Sequence, residues 1–370
     1  MFQIQKSSFQ YGSQETAINN NTLFKLSKSK PICCGTGLVA LDFVIDDINH
    51  TAPNLWAGGS CGNVLIILSY LGWDSYPISR FKNDYASSEL IRDMTKWNVK
   101  TKLISQSSDG STPIIIERVI KSRNGTPIHK FEWFCPDCGL RLPKYSALLL
   151  KDVKNIEQNL PMSNVYYFDR VSSSTLELAE FYKKKGALIF FEPSSIGQID
   201  KFNKSLQVAD IVKYSNERLK DAHKFTDNTH IPLEIVTLGS EGLRYRINSN
   251  TTWKLMPPYP VKNLKDTAGA GDWCSAGIIH ILGRSDKSAF RKLNNNKIVT
   301  ALEFGQALAS LNCNFIGARG VMYSIKKEHF QECILKILHH NDIESIKEID
   351  NSSDMFDFRQ MCLNCSENIK

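Results

Sequence analysis

DTAGAGDWCSAG, residues 266–277, is the most informative short stretch of this 370-residue chain. Four small residues, 268–271, lie between two aspartates, and an apolar pattern of helical period follows them. Glycines let the backbone approach a ligand closely, and the N–H groups at a helix N-terminus attract anions through the positive end of the helix dipole. The stretch therefore predicts an anion hole before a helix over about 272–283, with Asp272 at its edge.

Outward from this stretch, apolar runs of strand character alternate with helical patterns from about residue 32. The runs that each predict one strand are ICCGTGLVALDFVI, SYPISRF, VKTKLIS, NVYYFDRV, ALIFFEP, ADIVKYS and EIVTLG. Helices are predicted over SCGNVLIILSYLGW, 84–97, 173–185 and most of 270–338. Asn124-Gly125 between two β-rich runs predicts a hairpin. This alternation predicts an α/β fold with a doubly wound, mostly parallel central sheet and helices on both faces.

The composition indicates a globular protein. Hydrophobic residues make up 42% of the chain, which suffices for one large core. The net charge of +7 is spread along the chain, and so diffuse a basic balance suits anionic small molecules as well as nucleic acid. No apolar run reaches the ~18 residues of a membrane helix, and residues 1–30 lack a secretory apolar region. We therefore expect a cytoplasmic protein with a poorly ordered tail over 1–30, and no membrane or nucleic-acid partner.

An aspartate beside an anion hole has the two features that phosphoryl transfer to an alcohol requires. The carboxylate of Asp272 could accept the hydroxyl proton, and the developing charge could be held by the backbone of Ala268, Gly269, Ala270 and Gly271. The alternative is that Asp272 only caps the helix and the glycines only make a turn. This motif alone leaves both interpretations open.

Two other stretches have groups suited to a sugar or polyol. In AGGSCGNV, Gly58 and Gly59 would let a sugar approach the backbone, and Asn63 could hydrogen-bond a polyol. Asp42 lies in a strand-like run, where its carboxylate could accept two bonds from a vicinal diol. The alternative for both polar residues is a helix-capping role.

Two further strand ends have candidate binding residues. In IVTLGSEGLRY, Thr237, Gly239 and Gly242 could surround nucleotide phosphates and ribose, with a tight hairpin turn as the alternative. At the end of YYFDRV, Asp169 and Arg170 are candidates for substrate specificity, and a surface ion pair is the alternative.

Taken together and in this order, these stretches resemble the ribokinase (PfkB) family of sugar and nucleoside kinases over about residues 32–335. DTAGAGD matches the C-terminal signature of that family, and GGSCGNV…LSYLGW resembles its N-terminal signature. IKSRNG falls where these enzymes have lid strands, so the resemblance implies a small β lid around 113–145. FFEPSS, VKYSNERL, VTLGSEG and FIGARG resemble four further segments of the family, with Glu192 in place of the usual aspartate.

The resemblance implies a kinase domain over 31–338 that uses ATP and Mg²⁺ to phosphorylate a hydroxyl of a sugar, polyol or nucleoside. It assigns Asp272 as the catalytic base and the backbone of 268–271 as the anion hole. It also implies that the acceptor is held by Asp42, Gly59 and Asn63, which with Gly58 and Asp169 make up the predicted acceptor site. The residues that the resemblance places around ATP and the metal are Asn216, Thr237, Gly239, Gly242 and Gln306.

The sequence departs from the family pattern at several positions. The family has a glutamate three residues after the asparagine at 216, whereas here position 219 is Leu and Glu217 is adjacent instead. Asp84 is followed by Tyr85 where the family has glycine. These departures support a second hypothesis, a sugar or nucleoside sensor of the same fold without catalytic activity, whereas the intact GAGD favours the kinase.

The lid region continues into FCPDCGLRLPKY, which ordinary members of the family lack. Cys135 and Cys138 there have the spacing and the following glycine of a zinc knuckle, and Cys362 and Cys365 form a second pair in the C-terminal extension 339–370. The four could form one Cys₄ zinc site that ties the extension to the lid, the knuckles of two subunits could meet in a homodimer through the lid, or the thiols could be reduced and metal-free. A third hypothesis is thus a zinc-stabilised interaction protein.

Overall fold

The computed structural model describes residues 23–26, 29–249, 251–284, 290, 295–341, 346, 348–349 and 358–366. Within them the strands are β1 Ile32–Thr36, β2 Ala40–Asp46, β3 Asn54–Gly58, β4 Asp74–Pro77, β5 Ser79–Lys82, β6 Ile104–Ser107, β7 Ile114–Lys121, β8 Pro127–Glu132, β9 Val165–Phe168, β10 Leu188–Phe191, β11 Ile211–Ser215, β12 Leu233–Thr237, β13 Leu243–Ile247 and β14 Lys254–Met256. The α-helices are α1 Ser60–Tyr70, α2 Tyr85–Lys96, α3 Leu150–Ile156, α4 Ser173–Lys184, α5 Ile199–Val208, α6 His223–Thr226, α7 Ala270–Leu282, α8 Asn295–Asn312, α9 Gly320–Ser324, α10 Lys327–His340 and α11 Leu363–Ser366.

The main sheet confirms the predicted doubly wound architecture. Its strand order among the described residues is β14-β13-β12-β11-β10-β9-β1-β4, parallel from β12 to β4 with an antiparallel edge of β13 and β14. Side chains of β9 alternate between two hydrophobic clusters: Val165 and Tyr167 enter one, which α1, α7 and α8 also form, and Tyr166 and Phe168 enter the other, with α4 and α5. Helices therefore cover both faces of the sheet, as parallel strands require.

A smaller sheet of order β3-β2-β7-β8 corresponds to the expected β lid. Strands β7 and β8 form the predicted hairpin, whose turn contains Gly125 at a φ of +84°. Strand β2 pairs with β7 in parallel, which places Val44 opposite Glu117. The lid sheet therefore brings together residues far apart in sequence, including Asp42 on β2 and Glu117 on β7.

Two of the predicted single strands are wrong, because each is divided between two sheets. ICCGTGLVALDFVI forms β1 in the main sheet and β2 in the lid, and SYPISRF forms β4 in the main sheet and β5 in a two-stranded sheet with β6. The first break is held by tertiary contacts, since Asp169 Oδ1 accepts the amide of Leu38 at 2.9 Å. In the second, the amide of Ile78 donates to the carbonyl of Gly35 at 2.8 Å. Local hydrophobic periodicity cannot predict such contacts, because they join residues far apart in the sequence.

Helix α7 is held against its neighbour by close backbone contact. A Cβ atom at Gly277 of α7 would lie 2.6 Å from the Cα of Gly305 in α8, so a side chain there would push the helices apart. Helix α7 is buried along almost all its length. The position of its N-terminus, and thus of Asp272, therefore depends on this packing.

Parts of both terminal regions contact the domain. The carbonyl of Leu23 lies 2.8 Å from His280 Nε2, and the rings of Phe358 and Phe43 are 4.8 Å apart, which brings the C-terminal segment against the lid. Most of the expected N-terminal tail, residues 1–22 and 27–28, and of the C-terminal extension, 342–345, 347, 350–357 and 367–370, lies outside the described residues. Among the helices that are described, none has the length and apolarity needed to cross a membrane.

Candidate active site

Gly269 precedes helix α7 in the left-handed conformation, with a φ of +70°. A Cβ atom at this position would lie 2.1 Å from the carbonyl oxygen of Ala318, so the turn accepts only glycine without a shift of the backbone. From the other side, the buried carboxylate of Asp266 accepts the amides of Ala268 at 3.0 Å and Gly317 at 2.8 Å. The turn is therefore fixed by tertiary contacts as well as by its own sequence.

Backbone amides at the start of α7 are the candidate donors of the predicted anion hole. Gly271 and Asp272 occupy the second and third helical positions, whose amides have no carbonyl acceptor within the helix, and Gly271 is exposed. The amides of Ala268 and Ala270, by contrast, are already bonded within the turn. The donors available to an anion are thus fewer than the sequence predicts for 268–271, and they lie toward the helix.

Asp272 is hydrogen-bonded to the second glycine-rich signature. Asn63 Nδ2 donates to Asp272 Oδ2 at 2.8 Å, which joins two motifs more than 200 residues apart. Burial and the negative charge of Glu192 raise the pKa of Asp272 to about 8, although Asn63 and Lys213 act in the opposite direction. A carboxylate with a raised pKa is a stronger proton acceptor than an exposed aspartate.

Asp42 lies on the lid side of the same site. Its Oδ2 accepts the amide of Gly59 at 3.3 Å, and a Cβ at Gly58 would lie 1.8 Å from that oxygen. Burial raises the pKa of Asp42 to about 7, against the effects of the Gly59 amide and of Arg319. Its other oxygen, Oδ1, is buried without a hydrogen-bond partner among the described residues. Buried acceptors are rarely left unpartnered, so this atom identifies a place for a ligand donor.

Arg319 connects the acceptor side to the core, and the sequence interpretation assigned it no role. The guanidinium is buried; its Nε donates to Asn63 Oδ1 at 3.2 Å, and its Nη2 donates to Asp93 Oδ2 at 2.9 Å and to the carbonyl of Ala57. Asp93 also accepts the hydroxyl of Tyr323. Arg319 Nη1 has no partner among the described residues. In the sequence, Arg319 could have been noticed as an arginine within the mainly apolar FIGARG segment.

Glu117 is a second site residue that the sequence interpretation missed. It is 1% exposed on lid strand β7, and burial followed by the carboxylates of Asp266 and Asp42 raises its pKa well above the usual range. The charge of Asp272 acts on it in the same direction. The lid therefore brings a further carboxyl group up to the three aspartates. In the sequence, Glu117 could have been noticed as the one acidic residue in the mainly apolar run PIIIERV.

Glu192 and Lys213 form a buried ion pair beneath the start of α7. Lys213 Nζ donates to Glu192 Oε1 at 2.5 Å and to the carbonyl of Gly271 at 3.1 Å. The other oxygen of Glu192 accepts the hydroxyls of Tyr167 at 3.0 Å and Ser275 at 2.5 Å. Strand β11 is thereby connected to the first turn of α7, with a positive charge close to Asp272.

The residues predicted around the nucleotide lie along one rim. The amide of Asn216 donates to the carbonyl of Thr237 at 3.0 Å. Gly242, at a φ of +89°, would place a Cβ 2.3 Å from the carbonyl of Met256. Gln306 Nε2 donates to the carbonyl of Pro257 at 3.0 Å, which brings helix α8 to the same loop. Gly239 also has a positive φ, of +61°, in the turn after β12.

Structure explains two of the departures from the family pattern. Leu219 is 5% exposed and packs in the core cluster that contains α4 and α5. Asp84 caps helix α2, because its Oδ1 accepts the amide of Ser87 at 2.9 Å and the hydroxyl of Thr112 at 3.0 Å. Tyr85 is exposed. Neither position therefore breaks the candidate site.

Asp169 and Arg170 form an ion pair of 3.3 Å between Nη1 and Oδ2. Asp169 is buried, however, and its oxygens also accept the amide of Leu38 and the hydroxyl of Ser60. These contacts hold the β1–β2 loop against the start of α1. A direct contact between Asp169 and substrate stays a prediction.

The turn at Gly269 leads to a first test. Gly269→Ala combines a left-handed backbone with a backbone clash, and we expect it to lower the free energy of unfolding by about 2–5 kcal/mol. Gly125→Ala is a matched control, because Gly125 has a φ of +84° but nothing within 4 Å of its Cβ position. We expect Gly125→Ala to lower the free energy of unfolding by about 1–2 kcal/mol. Urea unfolding of both variants measures the difference, and equal losses would contradict the proposed packing of the turn.

Residues 162–324 match the model of the pfkB family carbohydrate kinases. This range contains Glu192, Lys213, Asp272 and Arg319 but not the N-terminal signature or the lid strands. No curated protein matches the chain in sequence.

Solved structures similar to the chain are sugar and nucleoside kinases. A fructokinase with bound ATP from Xylella fastidiosa has a TM-score of 0.61 at 18% identity and covers 78% of this chain and 94% of its own. A ribokinase from Thermotoga maritima has a TM-score of 0.61 at 17% identity, over 83% and 99%. An aminoimidazole riboside kinase from Salmonella enterica, complexed with aminoimidazole riboside and an ATP analogue, has a TM-score of 0.60 at 18% identity, over 82% and 99%. The chain therefore has the ribokinase-like fold, and its residues 162–324 match the pfkB family of carbohydrate kinases.

Proposed function

We propose that the protein transfers the γ-phosphoryl group of ATP to a hydroxyl of a sugar, polyol or nucleoside, with Asp272 as the base. One observation supports this most strongly. Asp272 lies at the third position of helix α7, next to amides without helical acceptors, and it is hydrogen-bonded to Asn63 of the glycine-rich acceptor motif. A proton acceptor and an anion site are thus adjacent, as phosphoryl transfer to an alcohol requires.

The acceptor would lie between Asp42 and Asp272. Asp42 Oδ1 and Arg319 Nη1 are a buried acceptor and a buried donor, and neither has a partner among the described residues. A hydroxyl group can donate to the first and accept from the second. Gly58 and Gly59 instead let the carboxylate of Asp42 and the carbonyl of Leu38 pack directly against the backbone, which fixes Asp42 in place for the acceptor. A polyhydroxylated acceptor therefore suits these atoms better than an apolar one.

In the reaction, Asp272 would take the proton from the attacking hydroxyl as the new O–P bond forms and the bond to ADP breaks. The amides of Gly271 and Asp272 would hold the equatorial oxygens of the transferring group. Lys213, fixed by Glu192 and by the carbonyl of Gly271, would supply positive charge behind this turn. The chain would thus contribute orientation and electrostatics rather than a covalent intermediate.

ATP would lie along the rim formed by Asn216, Thr237, Gly239, Gly242 and Gln306. Mg²⁺ accompanies ATP in such reactions, where it neutralises phosphate charge, and it is usually held by waters, phosphates and one or two side-chain oxygens. Asn216 and Glu217 are exposed beside the turn at Gly239, so their oxygens fit that need. Glu192 fits less well, because both its oxygens are already engaged.

The lid would exclude water from the reacting groups. It brings Asp42 of β2 and Glu117 of β7 to the mouth of the site, so the acceptor binds partly to the lid itself. Water would otherwise compete with the acceptor hydroxyl for ATP. Acceptor binding and lid closure are thus expected to be coupled.

A screen of phosphate acceptors tests the proposal. We expect at least one sugar, polyol or nucleoside to raise ADP release from Mg²⁺-ATP well above the rate without acceptor. In the Asp42→Asn variant the acceptor-dependent rate should fall more than the background ATP hydrolysis, because Asp42 is proposed to bind the acceptor and not the nucleotide. If calorimetry detects an acceptor that binds without any ADP release, the protein is a sensor and the proposed activity is wrong.

A further inference from the structure

Four cysteine sulphurs converge beside the end of lid strand β8, and none of them belongs to the active-site groups described above. They are contributed by Cys135, Cys138, Cys362 and Cys365, and all lie within 4.8 Å of one another. The Sγ atoms of Cys135 and Cys365 are 3.8 Å apart, and those of Cys138 and Cys362 are 3.5 Å apart. Four thiolates bound tetrahedrally to Zn²⁺ at 2.3 Å have their sulphurs about 3.8 Å apart. The cluster therefore has the dimensions of a Cys₄ zinc site.

The backbone around the first cysteine pair forms a compact turn. The amide of Cys135 donates to the carbonyl of Leu140 at 2.7 Å, and the amide of Gly139 donates to the carbonyl of Cys135 at 3.0 Å. Gly139 has a φ of +74°, which the C-x-x-C-G turn requires and glycine adopts at little cost. In the second pair, Cys362 immediately precedes helix α11 and Cys365 lies within it, so the two residues are about one helical turn apart. Both pairs thus present two sulphurs on one side of a short, ordered turn.

The sulphur separations argue against disulfides. A disulfide has an S–S distance near 2.05 Å, and both close contacts here join sulphurs of different pairs at 3.5 Å or more. At these separations the sulphurs are in contact without a covalent link, and four of them meet in one place, as they do around a structural metal ion. The two pairs are 224 to 230 residues apart in sequence, so local chain geometry does not account for their meeting.

We propose that these four cysteines bind one Zn²⁺ ion, which attaches the C-terminal segment to the lid of the same chain. The site goes beyond the proposed kinase activity and contains none of its residues. Zn²⁺ is favoured because a closed tetrahedral set of four sulphurs is typical of structural zinc. All four ligands come from one chain, so the geometry is that of the intrachain alternative and a second subunit is not required.

The attached segment covers the outer face of the lid. Phe358, Met361 and Cys362 are buried, and the ring of Phe358 lies 4.8 Å from that of Phe43 on β2. Phe43 follows Asp42 directly, and neighbouring residues of a strand face opposite sides of a sheet. The zinc site would therefore hold an apolar cover on one side of β2 while Asp42 serves the acceptor on the other. Loss of the metal should free this cover and loosen the lid.

Metal analysis of the purified full-length protein tests the proposal. We expect about one zinc per chain by mass spectrometry of acid-digested protein, and its release should consume about four equivalents of a mercurial reagent, one for each thiolate ligand. Cys362→Ala/Cys365→Ala should lose at least about nine-tenths of the zinc. The matched control Cys313→Ala/Cys333→Ala, two buried cysteines outside the cluster, should retain it.

Cobalt exchange provides a readout that does not depend on a variant folding. Co²⁺ added to the metal-free wild-type protein should give the intense visible bands of tetrahedral tetrathiolate cobalt, which zinc then abolishes. Absence of zinc, iron in its place, or equal loss from the control variant would each overturn the proposal. These measurements are independent of kinase activity, so failure of the zinc site and failure of the proposed function can be told apart.

Discussion

Asp272→Asn is expected to lower kcat by about 10²- to 10⁴-fold, the usual contribution of a positioned general base, and to leave ATP binding unchanged. The substitution keeps the size of the side chain, and its amide oxygen can still accept from Asn63 Nδ2, now at 2.8 Å from Oδ2. What it removes is the ability to take a proton. Turnover with the acceptor found by screening, and calorimetric titration with Mg²⁺-ATP, measure the two effects separately.

Asp221→Asn is the control for the same chemical change at an exposed aspartate, whose partner is Lys224. We expect no change in turnover there. If Asp272→Asn keeps its rate within about tenfold of the wild type, about 1.4 kcal/mol of barrier, Asp272 is not the base. A loss of ATP binding equal to the loss of turnover would instead indicate a structural role.

The pH dependence of the wild-type enzyme provides a second readout of the same residue. Burial and Glu192 raise the pKa of Asp272 to about 8, so the carboxylate form needed for proton transfer is depleted below that pH. We therefore expect kcat, measured with saturating acceptor so that protonation of Asp42 does not limit binding, to rise by up to about tenfold per pH unit as pH increases toward 8, and then to level off. The residual rate of Asp272→Asn should lack this limb of the profile.

Arg319→Met is expected to lower the free energy of unfolding by about 3–5 kcal/mol. Arg319 is 1% exposed, and its removal leaves the carboxylate of Asp93 buried without its cation. Methionine has a similar length and no donors, so the loss reports the missing charge and hydrogen bonds rather than a large cavity. Urea unfolding monitored by tryptophan fluorescence measures it.

Arg92→Met is the matched control, one residue from Asp93. Its side chain is 66% exposed and pairs with Glu89, and exposed ion pairs contribute about 0–1 kcal/mol. Arg319→Met should also raise KM for the acceptor, because Arg319 holds Asn63 Oδ1 at 3.2 Å. Similar stability losses in the two variants would contradict the importance of the buried pair.

Sequence reasoning predicted those parts of the candidate site where the backbone conformation or the hydrophobic period permits few residue types. The turn at Gly269 requires a positive φ, and the following helix has an apolar period, so GAGD could be interpreted without knowledge of distant residues. Asp42, Gly58, Gly59 and Asn63 were found by the same reasoning, aided by resemblance to a family. The structure places this whole group around one cluster of carboxylates.

The groups that sequence reasoning missed depend on contacts between distant segments. Arg319, Glu117 and Lys213 each lie in a mainly apolar run, where a charge could equally mark an exposed edge. Their roles follow from burial opposite a partner, such as Asp93 for Arg319 and Glu192 for Lys213. Burial makes an unpaired charge costly, so the partner decides whether the position is tolerated at all.

Local sequence was enough to predict the α/β alternation, the hairpin at Gly125 and the turn before α7, because hydrophobic period and glycine conformation act over a few residues. Three features became visible only in the folded chain: ICCGTGLVALDFVI divides between two sheets, Asn63 meets Asp272, and two distant C-x-x-C pairs converge. Each of these depends on the packing of segments far apart in the chain, where burial and hydrogen-bond partners select one arrangement. No local pattern of residues contains that information.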